Sequence, residues 1–442
     1  MPQPVATLIN ARWIVPVEPE GQVLEHHALA IEDGRILAIL PQDMAATRFA
    51  PKDCLNLDQH VLIPGLINAH THASMTLLRG FADDLPLMDW LRDYIWPAEA
   101  RWVDPDFVRD GTRLAIAEML RGGTTCFNDM YFFPEVTAAV ARDCGMRACV
   151  GLIALDFPTT YAQTLDEYLD KGLELHEASR AAPLIHTAFA PHAPYTVSAP
   201  ALERIGRLAE DLAIPVHIHV HETAAEVAEF QASHGCRPLE RLEQVGLLSS
   251  RLLAVHMTQL TSSEIERLAR AGAHVAHCPE SNLKLASGFC PVARLDAAGV
   301  NVALGTDGAA SNNDLDLFGE LRAAALLGKA VAGDAAALPA RRMLRMATLN
   351  GARALGLSDQ TGSLEPGKAA DLVAVDLGQA ETEPLYHPLS ALVYTASRHQ
   401  VTDVWVAGRR LLADRRLTTL DLDAIIRRAR DWREKIHAGR GA

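Results

Sequence analysis

Residues 214–223 read IPVHIHVHET. Isoleucine and valine alternate with histidines at 217, 219 and 221, the period of two that belongs to a β-strand. Burying three imidazoles is costly unless each finds a partner. A short strand of this kind therefore points to a site at its end, where Glu222 breaks the alternation. Seven other short apolar or β-branched runs resemble it: VLIPGLINAH (61–70), TTCFNDMY (124–131), RACVGLI (147–153), LIHTAFAPH (184–192), LLAVHMTQ (252–259), HVAHCPES (274–281) and VNVALGTDG (300–308). Long stretches with helical apolar spacing separate them. Strands alternating with helices predict parallel βα units, and eight such units predict a closed (β/α)8 barrel.

The two ends of the chain have a different texture. ATLINARWIVPV, HALAIEDGRILAIL and CLNLDQHVLIPG are β-rich, and the Asp-Gly of EDGR marks a hairpin turn. After residue 360, GSLEPGKAADLVAVDL and VTDVWVAGRRLLADRR again read as strands broken at glycines. The two ends are expected to pair into one small β-sandwich. This gives a three-part organisation: 1–60 as the first part of the sandwich, 61–365 as the barrel, and 366–442 as the second part with a C-terminal helix. That helix, LDAIIRRARDWREKIHAG, carries a basic face and reads as a solvated surface element.

Composition narrows the function. The chain has 442 residues, 49% hydrophobic and 22% charged, and a formal net charge of −14. That balance argues against nucleic acid and membrane surfaces as partners, since both need a basic face. Seven cysteines without a CxxC pair argue against a disulfide framework and a cysteine zinc site. No apolar run reaches the ~18 residues of a membrane span, and no basic segment leads into an apolar one at the start. The cytoplasm is the expected location.

Polar residues that packing does not explain fall at the C-terminal ends of the proposed strands, where barrel enzymes build their sites. They are His70 and His72, His192, the histidines 217 to 221 with Glu222, His256 and Asp307. His70 and His72 are two apart, so on a strand they share a face and can approach one ion. His274 and His277 are three apart, wrong for one strand face, and read as structural. Cys278 reads as a small buried hydrophobe. Trp90, Tyr94 and Trp96 have near-helical spacing and read as core packing, with lining of a substrate pocket as the alternative.

GLINAHTHASMTLLRG, VHIHVHETAAE, VAHCPESNLKLASG, LGTDGAASNNDLDL and GSLEPGKAADLV together resemble the amidohydrolase superfamily. Within it, they are most similar to the methylthioadenosine/S-adenosylhomocysteine deaminase branch, grouped with the triazine hydrolases. The resemblance implies a distorted barrel beside a sandwich made from both chain ends. It implies one divalent metal per chain, zinc with iron as the alternative, held by His70, His72, His219 and Asp307. The fourth strand has no lysine to bridge a second metal. Glu222 is implied as proton shuttle, His256 as the residue orienting the metal-activated water, and Asp307 as both ligand and proton acceptor. His192 is implied to contact the purine, and Glu99 the ribose hydroxyls; Glu222 and Asp307 also face the substrate.

The expected reaction is hydrolytic deamination of an adenine nucleoside (methylthioadenosine, S-adenosylhomocysteine or adenosine) at C6, giving the inosine-type product and ammonia. The alternatives are deamination of a free base such as guanine, cytosine or an oxidised purine, and triazine hydrolysis. More remote is a scaffold protein that has kept the fold without catalysis. The partner expected is a small nucleoside, and a homo-oligomeric state stays open. Among the strand histidines, His219 is the expected ligand, His217 a deeper supporting residue, and His221 a side chain turning away as the strand ends.

Overall fold

The structure, a computed structural model, describes residues 1–439. The first four strands are β1 (Gln3–Ile14), β2 (Leu24–Glu32), β3 (Arg35–Pro41) and β4 (Phe49–Pro64). β2 and β3 form the hairpin expected at EDGR, with Asp33 and Gly34 both at positive φ, 49° and 73°. Two successive residues in that region are what a tight hairpin turn requires. Gly34 has a second reason to be glycine, because a Cβ there would meet the Ala407 carbonyl oxygen at 2.6 Å.

Eight parallel strands follow in sequence order: β5 (Leu66–Thr71), β6 (Thr124–Asp129), β7 (Arg147–Ala154), β8 (Ile185–Pro191), β9 (Val216–Val220), β10 (Leu252–His256), β11 (His274–His277) and β12 (Asn301–Leu304). The chain is a distorted (β/α)8 barrel. Its seam lies between β12 and β5, where the Thr306 amide donates to the His70 carbonyl over 3.1 Å. The Asn68 side chain grips Thr306 from the other direction, at 2.8 and 3.0 Å. A Cβ on Gly305 would lie 2.8 Å from the His70 nitrogen, so only glycine lets the two strands come this close. Small residues such as Ala69, Cys126, Ala188 and Ala276 fill the barrel axis.

The C-terminal strands β13 (Leu372–Asp376), β14 (Val401–Val406), β15 (Arg409–Ala413) and β16 (Arg416–Leu417) return to the first four. One eight-stranded sheet results, in the order β16-β15-β14-β13-β4-β1-β2-β3. It joins the chain ends through β13, which runs antiparallel to β4 with Val373 opposite Ile63. The sheet curls back on itself: the Ile36 amide donates to the Lys368 carbonyl at 2.9 Å, and the Gly367 amide to that of Ile36 at 2.8 Å. Ile9, Leu29, Leu62, Leu372 and Trp405 are enclosed between its halves. The terminal helix Leu422–Gly439 is less solvated than its basic face suggests. Trp432 and Ile436 are buried, and Trp432 Nε1 donates to Asp110 at 2.9 Å.

One expected strand divides in two. Residues 61–70 read as a single run, but Val61–Pro64 complete β4 and Leu66 starts β5. Gly65 is the junction between sheet and barrel. Both pieces are buried on two faces and so equally apolar, which erases the boundary from the pattern.

A buried ion pair ties the two sheets together. Arg147, at the foot of β7, donates to Asp371 through Nε at 2.7 Å and Nη2 at 3.2 Å, and Asp371 also accepts from the Ala407 amide at 2.6 Å. Removing one member strands the other charge in the interior. Asp371→Ala is therefore expected to cost about 3–5 kcal/mol, read as a lower midpoint in urea unfolding of the metal-loaded protein. A change under 1 kcal/mol would mean that water reaches Arg147.

Candidate active site and metal centre

A cavity of about 640 Å³ opens at the C-terminal ends of the barrel strands. Four side chains converge on its floor: His70 from β5, His72 just beyond it, His219 from β9 and Asp307 beyond β12. Their ligand atoms lie within 4.8 Å of one another. Asp307 Oδ1 is 3.1 Å from His70 Nε2 and 3.2 Å from His72 Nε2, and His219 Nε2 is 3.2 Å from His70 Nε2.

These spacings suit a cation. Bonds of ~2.0–2.1 Å in tetrahedral array set ligand atoms roughly 3.3 Å apart. The second nitrogen of each ring is already engaged. His219 Nδ1 donates to the His192 carbonyl at 2.8 Å and His72 Nδ1 to the Met130 carbonyl at 2.5 Å. His70 Nδ1 faces His217 Nε2 at 2.8 Å. Three imidazoles oriented through Nδ1 with Nε2 pointing to one centre are the arrangement that metal-ligating histidines adopt. Three nitrogens and a carboxylate oxygen are also a donor set that zinc accepts.

Asp307 is held in place by its neighbours. Its Oδ2 accepts from the hydroxyls of Ser281 and Ser311, each at 2.7 Å, and its Oδ1 from the Gly308 amide at 2.8 Å. Burial would raise its pKa, but hydrogen bonds to His70 and His72 hold the carboxyl well below the usual range. Ser281 and Ser311 carry no signal of this role in the sequence. Both lie inside the quoted motifs, but a serine announces a ligand-orienting role only when its partner is known.

Glu222 comes into the same space because the chain turns sharply after β9. His221 has φ 55°, strained for a side chain with a Cβ. The turn is pinned from both sides: Thr258 Oγ1 donates to the Glu222 carbonyl at 2.7 Å, and the Glu222 amide donates to Glu226 Oε2 at 2.7 Å. Thr223 and Glu226 form a capping box that starts the next helix, Ala224–His234. Burial first, and then the negative charge of Asp307, push the Glu222 carboxyl up to about 8. His256 Nε2 lies 3.7 Å from Glu222 Oε2, while its Nδ1 donates to Asn282 Oδ1 at 2.9 Å. Burial lowers the His256 pKa, favouring the neutral ring.

The other sequence candidates separate clearly. His192 lines the cavity, bonds Thr196 Oγ1 at 3.0 Å, and is pushed down to about 3 by burial. Glu99, on the helix Trp96–Trp102, is half-buried in the cavity wall, where burial raises it to about 7. His217 supports His70 from below. His221 turns away, its Nε2 accepting from the Leu239 amide at 3.1 Å. His274 and His277 stand outside the four-residue group, and Cys278 is buried with its thiol pushed far up by desolvation. Trp90 packs in a hydrophobic cluster and also lines the cavity, as does Trp96, whereas Tyr94 is exposed.

Comparison with known proteins agrees with this arrangement. A model of the amidohydrolase family matches residues 61–411. A protein of Teredinibacter turnerae named 5-methylthioadenosine/S-adenosylhomocysteine deaminase is 52% identical, over 98% of each chain. The crystal structure of an adenosine deaminase from Xanthomonas campestris with bound zinc superposes with a TM-score of 0.98, at 57% identity over 99% of this chain and 100% of that one. An atrazine chlorohydrolase from Arthrobacter aurescens, complexed with zinc, has a TM-score of 0.90 at 25% identity, over 96% and 99% of the two chains.

Proposed function

This chain belongs to the amidohydrolase family, and on that premise we propose how its residues divide the work of an adenine-nucleoside deaminase. The protein is a metal-dependent hydrolase that converts an adenine nucleoside to the inosine-type product and ammonia. The observation that carries this reading is the meeting of His70, His72, His219 and Asp307 beneath Glu222 and His256 in one cavity.

His70, His72, His219 and Asp307 hold the cation, zinc by choice of donors. When bound, such an ion supplies the Lewis acidity that makes water a nucleophile near neutral pH. The remaining chemistry falls to side chains. Glu222, protonated near neutrality, donates its proton to ring nitrogen N1 as the water oxygen adds to C6. His256 accepts a hydrogen bond from that water through Nε2 and fixes its direction of attack. Asp307 takes the water proton, its carboxylate oriented by the Ser281 and Ser311 hydroxyls and the Gly308 amide. The proton on Asp307 then passes to the exocyclic amine, the C6–N bond breaks and ammonia leaves, while the proton still on the C6 hydroxyl returns to Glu222 and leaves a carbonyl in place of the amine. His192 contacts the purine, and Glu99 accepts the paired ribose hydroxyls, a task suited to an acceptor-only carboxylate.

The test is a spectrophotometric screen of adenine nucleosides, free purines and pyrimidines, and a chlorotriazine, with zinc-loaded protein. Deamination of adenine nucleosides, abolished by a chelator and restored by zinc, is expected. Glu99→Gln should lower kcat/KM for a nucleoside by about tenfold or more, the scale of a lost charged hydrogen bond. Turnover confined to free bases or triazines, unaffected by Glu99→Gln, would overturn the nucleoside reading.

The division of the chain at 1–60, 61–365 and 366–442 stays part of the proposal, with its first boundary drawn at Gly65 because β13 pairs with β4 as far as Pro64; limited proteolysis checks it. A cytoplasmic location and assembly into homo-oligomers complete the proposal, checked by fractionation and light scattering. No helix among the described residues is long and apolar enough to cross a membrane.

A further inference from the structure

The helix that carries Glu99, Trp96–Trp102, is seven residues long. Helices shorter than ~12–15 residues are marginal by themselves in water, so its position is set by what it packs on. Trp96, Glu99 and Ala100 turn to the cavity. At roughly 100° per residue, Arg101 stands about 200° round the axis from Glu99, on the far side. That side meets the last helix of the chain, Leu422–Gly439. Arg101 Nη1 donates to the Gly439 carbonyl at 2.5 Å, which sets a cation beside the negative end of the terminal helix. A Cβ on Gly439 would overlap the Trp102 indole, so only glycine permits this approach. Lys435 spans the junction: its Nζ lies 5.5 Å from the centre of the Trp102 ring and 4.1 Å from that of Trp432.

The terminal helix has a mooring of its own. Arg428 Nε and Trp432 Nε1 both donate to Asp110 Oδ2, at 2.7 and 2.9 Å. The Trp432 ring meets that of Phe107 edge-on, with 5.3 Å between centres. Phe107 and Asp110 belong to the helix Pro105–Arg121, which starts just after the Glu99 helix ends. Arg428, Trp432, Lys435 and Gly439 follow at intervals of three or four, so one face of the terminal helix holds both mooring and junction. Apolar packing joins the same parts: Ile95, Ala98, Val103, Phe107, Trp432 and Ile436 share one buried cluster. Trp102, Asp110, Trp432 and Lys435 do not line the cavity.

We propose that Trp102 and Lys435 are positioning residues, through which the terminal helix fixes the helix Trp96–Trp102 and so holds Glu99 at its place in the cavity wall. The inference rests on the nucleoside reading above, with Glu99 on the ribose hydroxyls. A group that binds in a defined geometry must be held to within ~0.5 Å, and a helix of seven residues needs a second body to do so. The metal ligands, Glu222 and His256 stand on the barrel strands or the turns after them, outside this junction. Loosening it should therefore weaken the hold on substrate and leave metal and chemistry in place.

Lys435→Met keeps the alkyl stem and loses the cation. In the zinc-loaded full chain it should raise KM for adenine nucleosides about fivefold, with kcat and metal content within about twofold of the parent. Lys435→Arg, which keeps a cation between the rings, should restore KM. Combined with Glu99→Gln, Lys435→Met should add nothing further, since residues that act through one another are not additive. A full effect in the double variant, or a fall in kcat with KM unchanged, would overturn the proposal. Hydrogen exchange followed by mass spectrometry reads the junction without substrate. In Trp102→Leu, amides of residues 87–103 should exchange about tenfold faster while those of β5–β12 keep the parent rates. Parent rates at 87–103, or an equal acceleration throughout the barrel, would also overturn it. Local acceleration in a protein that deaminates no nucleoside would uphold the junction and sink the nucleoside reading alone.

Discussion

Glu222→Gln is expected to lower kcat for adenine nucleosides by about 10²–10⁴, the usual worth of a positioned acid–base group, while the chain keeps its metal. Glutamine has the shape of a protonated glutamate and fits the same buried space. It cannot release a proton to the ring and recover one from the attacking water. The main chain around it is held by Thr258 and Glu226, neither of which needs the Glu222 side chain. Glu222 is also not one of the four converging ligand residues. Metal content measured beside steady-state rates checks both halves of the expectation. Loss of metal along with activity would move Glu222 into the ligand set, and a rate within tenfold of the parent would end its role as shuttle.

His219→Ala separates the other function of the same short strand. It removes one of four donors and leaves His70, His72 and Asp307 facing a gap. Replacing residues that merely orient a ligand costs ~10–100-fold in metal affinity, so loss of the ligand itself should cost at least about 100-fold. Activity should fall with occupancy. Competition against a chromogenic chelator gives the affinity directly, without any assay of turnover. An affinity within a few-fold of the parent would strike His219 from the site. The two variants, three residues apart, are thus expected to fail in opposite ways: one loaded and slow, the other empty.

The eight barrel strands were readable because each is a short apolar run set between long helical patterns, and the hairpin at EDGR because two positive φ angles need Asp-Gly or its like. The division at Gly65 was not readable, since strands buried on both faces carry no alternation to mark where one sheet ends. The residues converging on the cavity floor could be picked out because histidine and aspartate at strand ends are expensive to bury. The groups that orient them stayed hidden. Ser281, Ser311 and Asn282 are ordinary polar residues until the barrel closes and sets them against Asp307 and His256. Trp90 and its neighbours were read by helical period alone. The period was broadly right, but Leu91–Ile95 form a π-helical turn that no spacing rule anticipates, and it bears on which members of that segment line the cavity.

The antiparallel pairing of β13 with β4 has a consequence for the way this chain is made. When β4 leaves the ribosome, the edge that β13 will cover is open, and it stays open until the entire barrel has been synthesised. Leu62 and Ile63 are apolar and fully buried in the finished protein. An uncovered apolar strand edge is a template for pairing with another chain, and closing a loop of that length is slow. The nascent polypeptide therefore passes its longest vulnerable interval with a sticky edge near its beginning, and a chain truncated before residue 372 keeps that edge for good.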